Sequence, residues 1–228
     1  MWDFAFRGTV FVASTGFRAS VPRRLRTDFV LNDIVLCCRA ICFLSLFAAP
    51  ALNAAEVSVD LDASKTKIDF VLTDVLHTVH GTFSLKEGHV IFDSSTGAIR
   101  GDVIVNATSG NSGNGTRDRR MTRGILEAQR YPEIRFAPHK IAGTVSTSST
   151  SSIEVTGSFQ IHGQAHEITI PMQVQMSQDE ITASGKFVVP YVEWGMKNPS
   201  NFLLKVNEKV EIHLVAVGHL YGAHTAAN

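Results

Sequence analysis

The chain has 228 residues, and its 21 basic and 21 acidic residues leave no formal net charge at pH 7. The first 55 residues hold six of the basic and only three of the acidic residues, so the remainder is mildly acidic. This balance gives no indication of a nucleic-acid partner. All three cysteines, Cys37, Cys38 and Cys42, lie in the first 55 residues, so the rest must fold without disulfides.

The N-terminal segment, residues 1–55, is predicted to be a leader that contains a signal peptide. Arg39 precedes an apolar run over residues 40–49, which is shorter than the roughly 20 residues of a membrane-spanning helix. Small residues follow, and they place cleavage at Ala51, Ala54 or Ala55. We expect a mature periplasmic chain that begins between Leu52 and Glu56. Residues 1–33 are long for a leader; a misassigned start codon would explain them, and an uncleaved anchor is the alternative.

From residue 56 onward, apolar residues recur at every second position, which is the period of a half-buried strand. The pattern runs through residues 57–61, 68–72, 168–176 and 181–189. It ends in a closing strand whose buried face holds Val206, Val210, Ile212, Leu214 and Ala216. Turn-forming residues at 86–88, 93–97 and 177–180 separate strands, and the serine- and threonine-rich run 144–152 indicates a hairpin loop. We therefore expect an all-β fold in which one antiparallel sheet closes on itself.

One short helix is predicted near residues 117–130. Met121, Ile125 and Ala128 fall at i, i+4 and i+7, and Asp118 is placed to cap the start. The glycine-rich segment before it, 106–116, invites a nucleotide-binding interpretation. Such a site needs a βαβ unit, and the pattern that follows is antiparallel.

Arginines cluster around this helix, at Arg117, Arg119, Arg120, Arg123, Arg130 and Arg135. Guanidinium groups bind phosphate and carboxylate in bidentate geometry. Arg117, Arg119 and Arg120 are therefore candidates to hold an anionic head group at a barrel mouth. The alternative is a solvated helix face.

Two histidine pairs, His77 with His80 and His162 with His166, have spacings that a zinc site can use. Neither pair has an Asp, Glu or Cys ligand at a fixed spacing, so we predict no metal site. The carboxylates form no pair directed at one point, so no acid–base couple is evident. We expect a protein that is not an enzyme and that needs no cofactor.

Aromatic residues of the predicted strands are the candidates for a ligand-binding interior: Phe70, Phe83, Phe92, Phe136, Phe159, Phe187 and Trp194. Barrels of about eight strands are either filled by side chains or hold one small apolar ligand. The sequence leaves both options open.

Several short stretches, taken in order, resemble the YceI-like family, secreted bacterial proteins known as polyisoprenoid-binding, lipocalin-like barrels. The matching stretches are residues 77–83, Arg117-Asp118, 131–136, 157–163 and Trp194-Gly195-Met196. The resemblance covers residues 56 to about 217. Many family members have a histidine where this chain has Arg120, and the Trp-Gly-Met-Lys-Asn-Pro segment at 194–199 indicates a sub-branch.

The resemblance implies an eight-stranded antiparallel up-and-down barrel over residues 56–220, followed by a tail at 221–228. It also implies a periplasmic carrier that sequesters a long isoprenoid-type ligand, a quinone or a polyprenyl phosphate. The alternatives are a stress-related envelope protein with a packed barrel and no ligand, and a histidine- or metal-assisted enzyme. We expect no nucleic-acid partner and no membrane span in the mature chain, and a homodimer stays open.

Overall fold

The computed structural model describes residues 56–73, 77–93, 95–200 and 205–222. The predicted leader, with its apolar run and cleavage positions, lies outside these residues, as does most of the predicted tail. Within the described part of the chain, no helix has the length and apolar character needed to span a bilayer.

In the described part of the chain, nine strands form a single antiparallel sheet. They are β1 (Glu56–Leu61), β2 (Lys67–Thr73), β3 (Thr78–Asp93), β4 (Ile99–Asn111), β5 (Glu133–Ala142), β6 (Ser151–Ile161), β7 (Gln164–Ser177), β8 (Glu180–Val189) and β9 (Val210–Tyr221). From β3 to β9, each strand pairs with the next strand along the chain.

The sheet closes into a barrel because β1 and β2 together occupy one position. Both strands pair with β3 on one side and with β9 on the other. The break between them is a turn in which the Asp62 carboxylate accepts hydrogen bonds from the backbone N–H of Ser64 (2.8 Å) and of Lys65 (3.3 Å). The nine strands therefore make an eight-stranded barrel, which confirms the predicted fold class.

One predicted turn is wrong, because residues 86–88 lie inside the 16-residue strand β3. The pairing of β3 with β4 shifts register between Leu85 and Glu87, which is a β-bulge. Gly88 lies beside Leu61, and a Cβ at Gly88 would come within 2.6 Å of the Leu61 side chain. The turn-forming residues here mark a bulge and a close contact. The other predicted connections are found in the described residues, at 95–98, 143–150 and 178–179.

The helix is shorter than predicted and begins earlier. Helix α1 spans Gly115–Arg119, and a π-helical turn spans Arg120–Ile125. Asn114 is the N-cap, and its side chain accepts from the N–H groups of Thr116 and Arg117. Asp118, the predicted cap, instead accepts from the backbone N–H of Ser112 (2.9 Å) and from its hydroxyl. The helix ends before residue 130 because the chain reverses at Glu127, whose φ is +48°.

Candidate functional site

The described residues enclose two apolar cavities inside the barrel, with volumes of about 170 Å³ and about 130 Å³. The larger cavity is lined by side chains that include Val59, Phe92 and Val145, next to the hairpin loops 95–98 and 143–150. The smaller cavity lies under the helical segment and the β8–β9 connection. Four residues line both cavities: Ile134, Phe159, Phe187 and Ile212. The two cavities are therefore neighbours separated by a thin wall of side chains.

The interior presents hydrocarbon almost everywhere. Among the described lining residues, the side chains that carry a polar group are Thr66 in the larger cavity and Tyr191 in the smaller one. The Thr66 hydroxyl accepts from the backbone N–H of Val217 (3.1 Å), and the Tyr191 hydroxyl donates to the carbonyl of Asn207 (2.9 Å). Burial, and secondarily the charge of Glu208, raises the pKa of Tyr191 above its ordinary value, so the phenol stays neutral. An apolar chain fits these walls, and a charged group does not.

The smaller cavity is closed by the capping segment, residues 115–126. Its inner side chains Met121, Ile125 and Leu126 line the cavity. The backbone N–H of Leu126 donates to the carbonyl of Met121 (2.9 Å), and this i to i−5 bond widens the turn into a π-helix. The Met121 side chain packs over Gly110 of β4, where an added Cβ would come within 2.4 Å of Cε. A glycine at 110 therefore allows the capping segment to lie close against the barrel.

The structure places six of the seven predicted aromatic residues on the cavity walls. Phe92 and Phe136 line the larger cavity, Phe70 and Phe83 line the smaller one, and Phe159 and Phe187 line both. The seventh, Trp194, is half-buried, and its ring centroid lies 5.9 Å from that of Phe159. Among the described residues, Trp194 is absent from both linings and supports the wall from behind.

The three candidate head-group arginines are all exposed on the outer face of the capping segment, but they differ in their contacts. Arg117 donates from Nε to the Ser112 hydroxyl (2.7 Å) and from Nη2 to the Ser112 carbonyl (2.8 Å). These bonds use Arg117 to fasten the loop before the helix. Arg119 makes one long hydrogen bond, from Nη2 to the Thr116 hydroxyl (3.3 Å). Arg119 and Arg120 therefore have most of their donor groups available for an anion.

The histidines of the second pair point to different neighbours. The His162 ring lies 5.0 Å from the Tyr131 ring, and its Nε2 lies 3.6 Å from Oε1 of Glu127. The His166 ring stacks on Trp194, with centroids 4.0 Å apart and planes 6° apart. Within the described residues, no three His, Cys, Asp or Glu side chains are grouped as metal ligands.

The β8–β9 connection supplies lining residues that sequence reasoning missed. Tyr191, Met196 and Pro199 line the smaller cavity, and Tyr191 and Met196 are almost fully buried. The turn at Gly195 has a φ of +84°, which returns the chain toward the barrel end. The signal was present in the sequence as apolar residues in a segment that lacks a strand period.

Comparison with known proteins decides the family. The sequence model of the YceI-like domain matches residues 60–217. The chain belongs to the YceI-like family. This confirms the resemblance carried by the short motifs.

Solved structures share the YceI-like fold at low sequence identity. The crystal structure of Burkholderia cenocepacia BcnA is 22% identical, with a TM-score of 0.58 over 69% of this chain and 99% of that one. A polyisoprenoid-binding domain from Saccharophagus degradans, implicated in plant cell wall breakdown, is 17% identical, with a TM-score of 0.56 over 72% of this chain and 98% of that one. No curated protein shows a significant sequence match. At these identities the structural likeness shows the fold alone.

Proposed function

We propose that this YceI-like protein is a carrier that sequesters a long isoprenoid-type lipid inside its barrel. The observation that carries the proposal is the pair of neighbouring apolar cavities whose lining hydroxyls are already hydrogen-bonded to backbone. Burial of hydrocarbon stabilises a ligand by about 0.8 kcal/mol per CH₂, or roughly 4 kcal/mol per five-carbon unit. Family membership and the polyisoprenoid-binding description of the Saccharophagus domain support this ligand class.

The volume of the interior supports a ligand over a filled barrel. Together the cavities enclose about 300 Å³, which is the lower end of the range for pockets that hold drug-sized molecules. A cavity of about 150 Å³ with apolar walls is already large enough to bind benzene. The interior therefore has space for part of an apolar chain, and the proposal assigns no reaction to it.

The head group of such a ligand has to lie outside the apolar walls. We propose that Arg119 and Arg120 hold it when it is a phosphate, because both guanidinium groups are exposed on the segment that covers the smaller cavity. Arg117 is less suited, since Ser112 occupies two of its nitrogens. A neutral quinone would use the same apolar interior without the arginines.

The test compares a polyprenyl phosphate with a quinone of equal chain length, titrated into protein stripped of lipid. Replacing Arg119 and Arg120 by Gln is expected to weaken binding of the polyprenyl phosphate by roughly 1.5–3 kcal/mol per charge-assisted bond. Binding of the quinone is expected to stay unchanged. The substitution Phe159→Trp adds volume to the shared wall and is expected to impair both ligands. Absence of binding by either ligand would contradict the proposal, and equal loss of both in the arginine variant would remove the head-group role.

We also propose that the chain acts in the periplasm after removal of its leader. The support is the short apolar run 40–49, followed by small residues up to Ala55. N-terminal sequencing of the protein from a periplasmic fraction is expected to give a start between Leu52 and Glu56. Recovery of a membrane-bound chain that retains Cys42 would contradict this proposal.

A further inference from the structure

The outer face of the capping segment is strongly cationic. The capping segment, residues 115–126, contains four arginines and one acid, Asp118, and Glu127 follows directly after it. Both acids have partners of their own, because Asp118 accepts from Ser112 and Glu127 faces Nε2 of His162 (3.6 Å) and Nζ of Lys197 (3.9 Å). The arginines outnumber these two acids, so the segment keeps a net positive charge.

Three of these arginines lie within a stretch of five residues. Arg119 and Arg123 are four residues apart, Arg120 and Arg123 are three apart, and all three are exposed. Like charges at these spacings repel and weaken an isolated helix. An anionic surface placed against the segment would attract all three arginines and offset the repulsion between them. We define Arg119, Arg120 and Arg123 as the arginine face.

The opposite end of the barrel has a different character. Its hairpin loops, 95–98, 143–150 and 178–179 in the described residues, contain no Arg or Lys, and they include the acidic residue Asp179. Within the described residues, these hairpin loops and the capping segment thus differ in charge, and the cationic segment is the one that covers the smaller cavity. An extended anionic surface would orient the barrel with this cavity toward it.

We propose that the arginine face docks the protein on a bilayer that contains anionic phospholipids. Beneath the arginines, Met121 and Ile125 of the same segment line the apolar cavity. Docking therefore brings the cavity covered by this segment to the surface from which an apolar ligand leaves the membrane. The choice of a bilayer over other polyanions rests on the proposed function, because an isoprenoid lipid resides in a bilayer. Arginine binds lipid phosphates by paired hydrogen bonds in addition to its charge.

The experiment is vesicle flotation of the purified protein. Vesicles of phosphatidylcholine alone are compared with vesicles that also contain about 30% phosphatidylglycerol, at about 0.05 M and about 0.5 M salt, since salt screens exposed charges. We expect binding to the anionic vesicles at low salt and little binding in the other three conditions. Replacing all three residues of the arginine face by Gln is expected to lower the vesicle partition constant by roughly 100-fold, about fivefold for each arginine.

The matched control changes the net charge equally at other places. Lys67, Lys140 and Lys186 are exposed on β2, β5 and β8, and their triple replacement by Gln is expected to retain most of the vesicle binding. The proposal would be overturned if both triple variants lost vesicle binding equally. It would also be overturned if the native protein bound neutral and anionic vesicles equally, or bound a DNA duplex more strongly than anionic vesicles. Thermal unfolding of each variant confirms that it is folded.

A second readout separates this inference from the proposed function. Lipid content of the same preparations is measured by organic extraction and mass spectrometry. Protein that contains an isoprenoid lipid and does not bind anionic vesicles overturns docking alone. Protein that binds anionic vesicles through the arginine face and neither contains nor takes up an apolar ligand supports docking and contradicts the carrier function.

Discussion

Phe159 on β6 and Phe187 on β8 meet edge to face, with ring centroids 5.7 Å apart and planes at 72°. Both rings line the larger and the smaller cavity. Aromatic pairs favour this arrangement because the positive edge of one ring faces the negative face of the other. The pair therefore forms a defined wall that divides the interior of the barrel.

Removal of one ring from this wall is expected to merge the cavities. The variant Phe187→Ala should lower the free energy of unfolding by about 3 kcal/mol, the lower end for such a truncation because Phe187 is half-buried. Phe187→Leu, which keeps most of the volume, should cost less. Urea unfolding measures both. A loss of less than about 1 kcal/mol in the free energy of unfolding of the alanine variant would contradict the claim that Phe187 forms part of this wall.

The two-residue turn between β6 and β7 provides a test of backbone and packing together. His162 and Gly163 have φ values of +52° and +75°, and a Cβ at Gly163 would lie 2.4 Å from the Tyr131 ring. Gly113 has nearly the same φ, +77°, with open space around its Cβ position. Gly113→Ala should therefore cost about 1–2 kcal/mol from φ alone, and Gly163→Ala should cost clearly more. Equal melting temperatures for the two variants would exclude the contact with Tyr131.

The loop between β3 and β4 is expected to respond to acid. Hydrogen bonds from the side chains of Ser95 and then Thr96, with their backbone N–H groups, lower the pKa of Asp93 from 3.8 to about 2. A depressed pKa stabilises the fold above the unfolded-state value, and this contribution is lost as pH falls from about 4 to about 2. We predict that Asp93→Asn flattens the dependence of the melting temperature on pH in this window. If the melting temperature of the variant fell with pH in parallel with that of the native protein between pH 4 and pH 2, other groups would be responsible for the acid response.

The stacked His166 has a buried Nε2 without a hydrogen-bond partner among the described residues. Phe at this position keeps the ring on Trp194 and removes the unsatisfied nitrogen. We expect His166→Phe to raise the free energy of unfolding by about 1 kcal/mol, since a buried unpaired polar group costs about 1–3 kcal/mol.

A chelator should leave the native melting temperature unchanged, because His162 and His166 contact different neighbours. A loss of stability in both experiments would indicate a bound metal.

The strands and the inward face of the barrel are predictable from sequence, because burial on one side imposes a two-residue period. Ile212, Leu214 and Ala216 were predicted on one face, and all three line the larger cavity. The bulge in β3 is not predictable in this way, since Lys86, Glu87 and Gly88 have the composition of a turn. Only the register against β4 shows that pairing continues past them.

The residue types that line the candidate site are predictable from sequence, but the division of the interior into two cavities is not. Alternation identifies Phe159 and Phe187 as inward-facing, but ring orientation and the resulting two cavities depend on tertiary packing. The helix was expected to reach residue 130 from the spacing of Met121, Ile125 and Ala128. Its early end depends on the reversed backbone at Glu127, a residue type that rarely adopts positive φ.

The central claim, that the barrel holds an isoprenoid-type lipid, is tested most directly by organic extraction and mass spectrometry of natively purified protein. The account predicts one dominant apolar species in near-stoichiometric amount, with a polyprenyl or quinone mass. It also predicts that protein carrying Phe159→Trp retains much less of it. A folded native protein that contains no lipid, and that takes up neither a quinone nor a polyprenyl phosphate when these are added, would contradict the account and leave a barrel with empty apolar cavities.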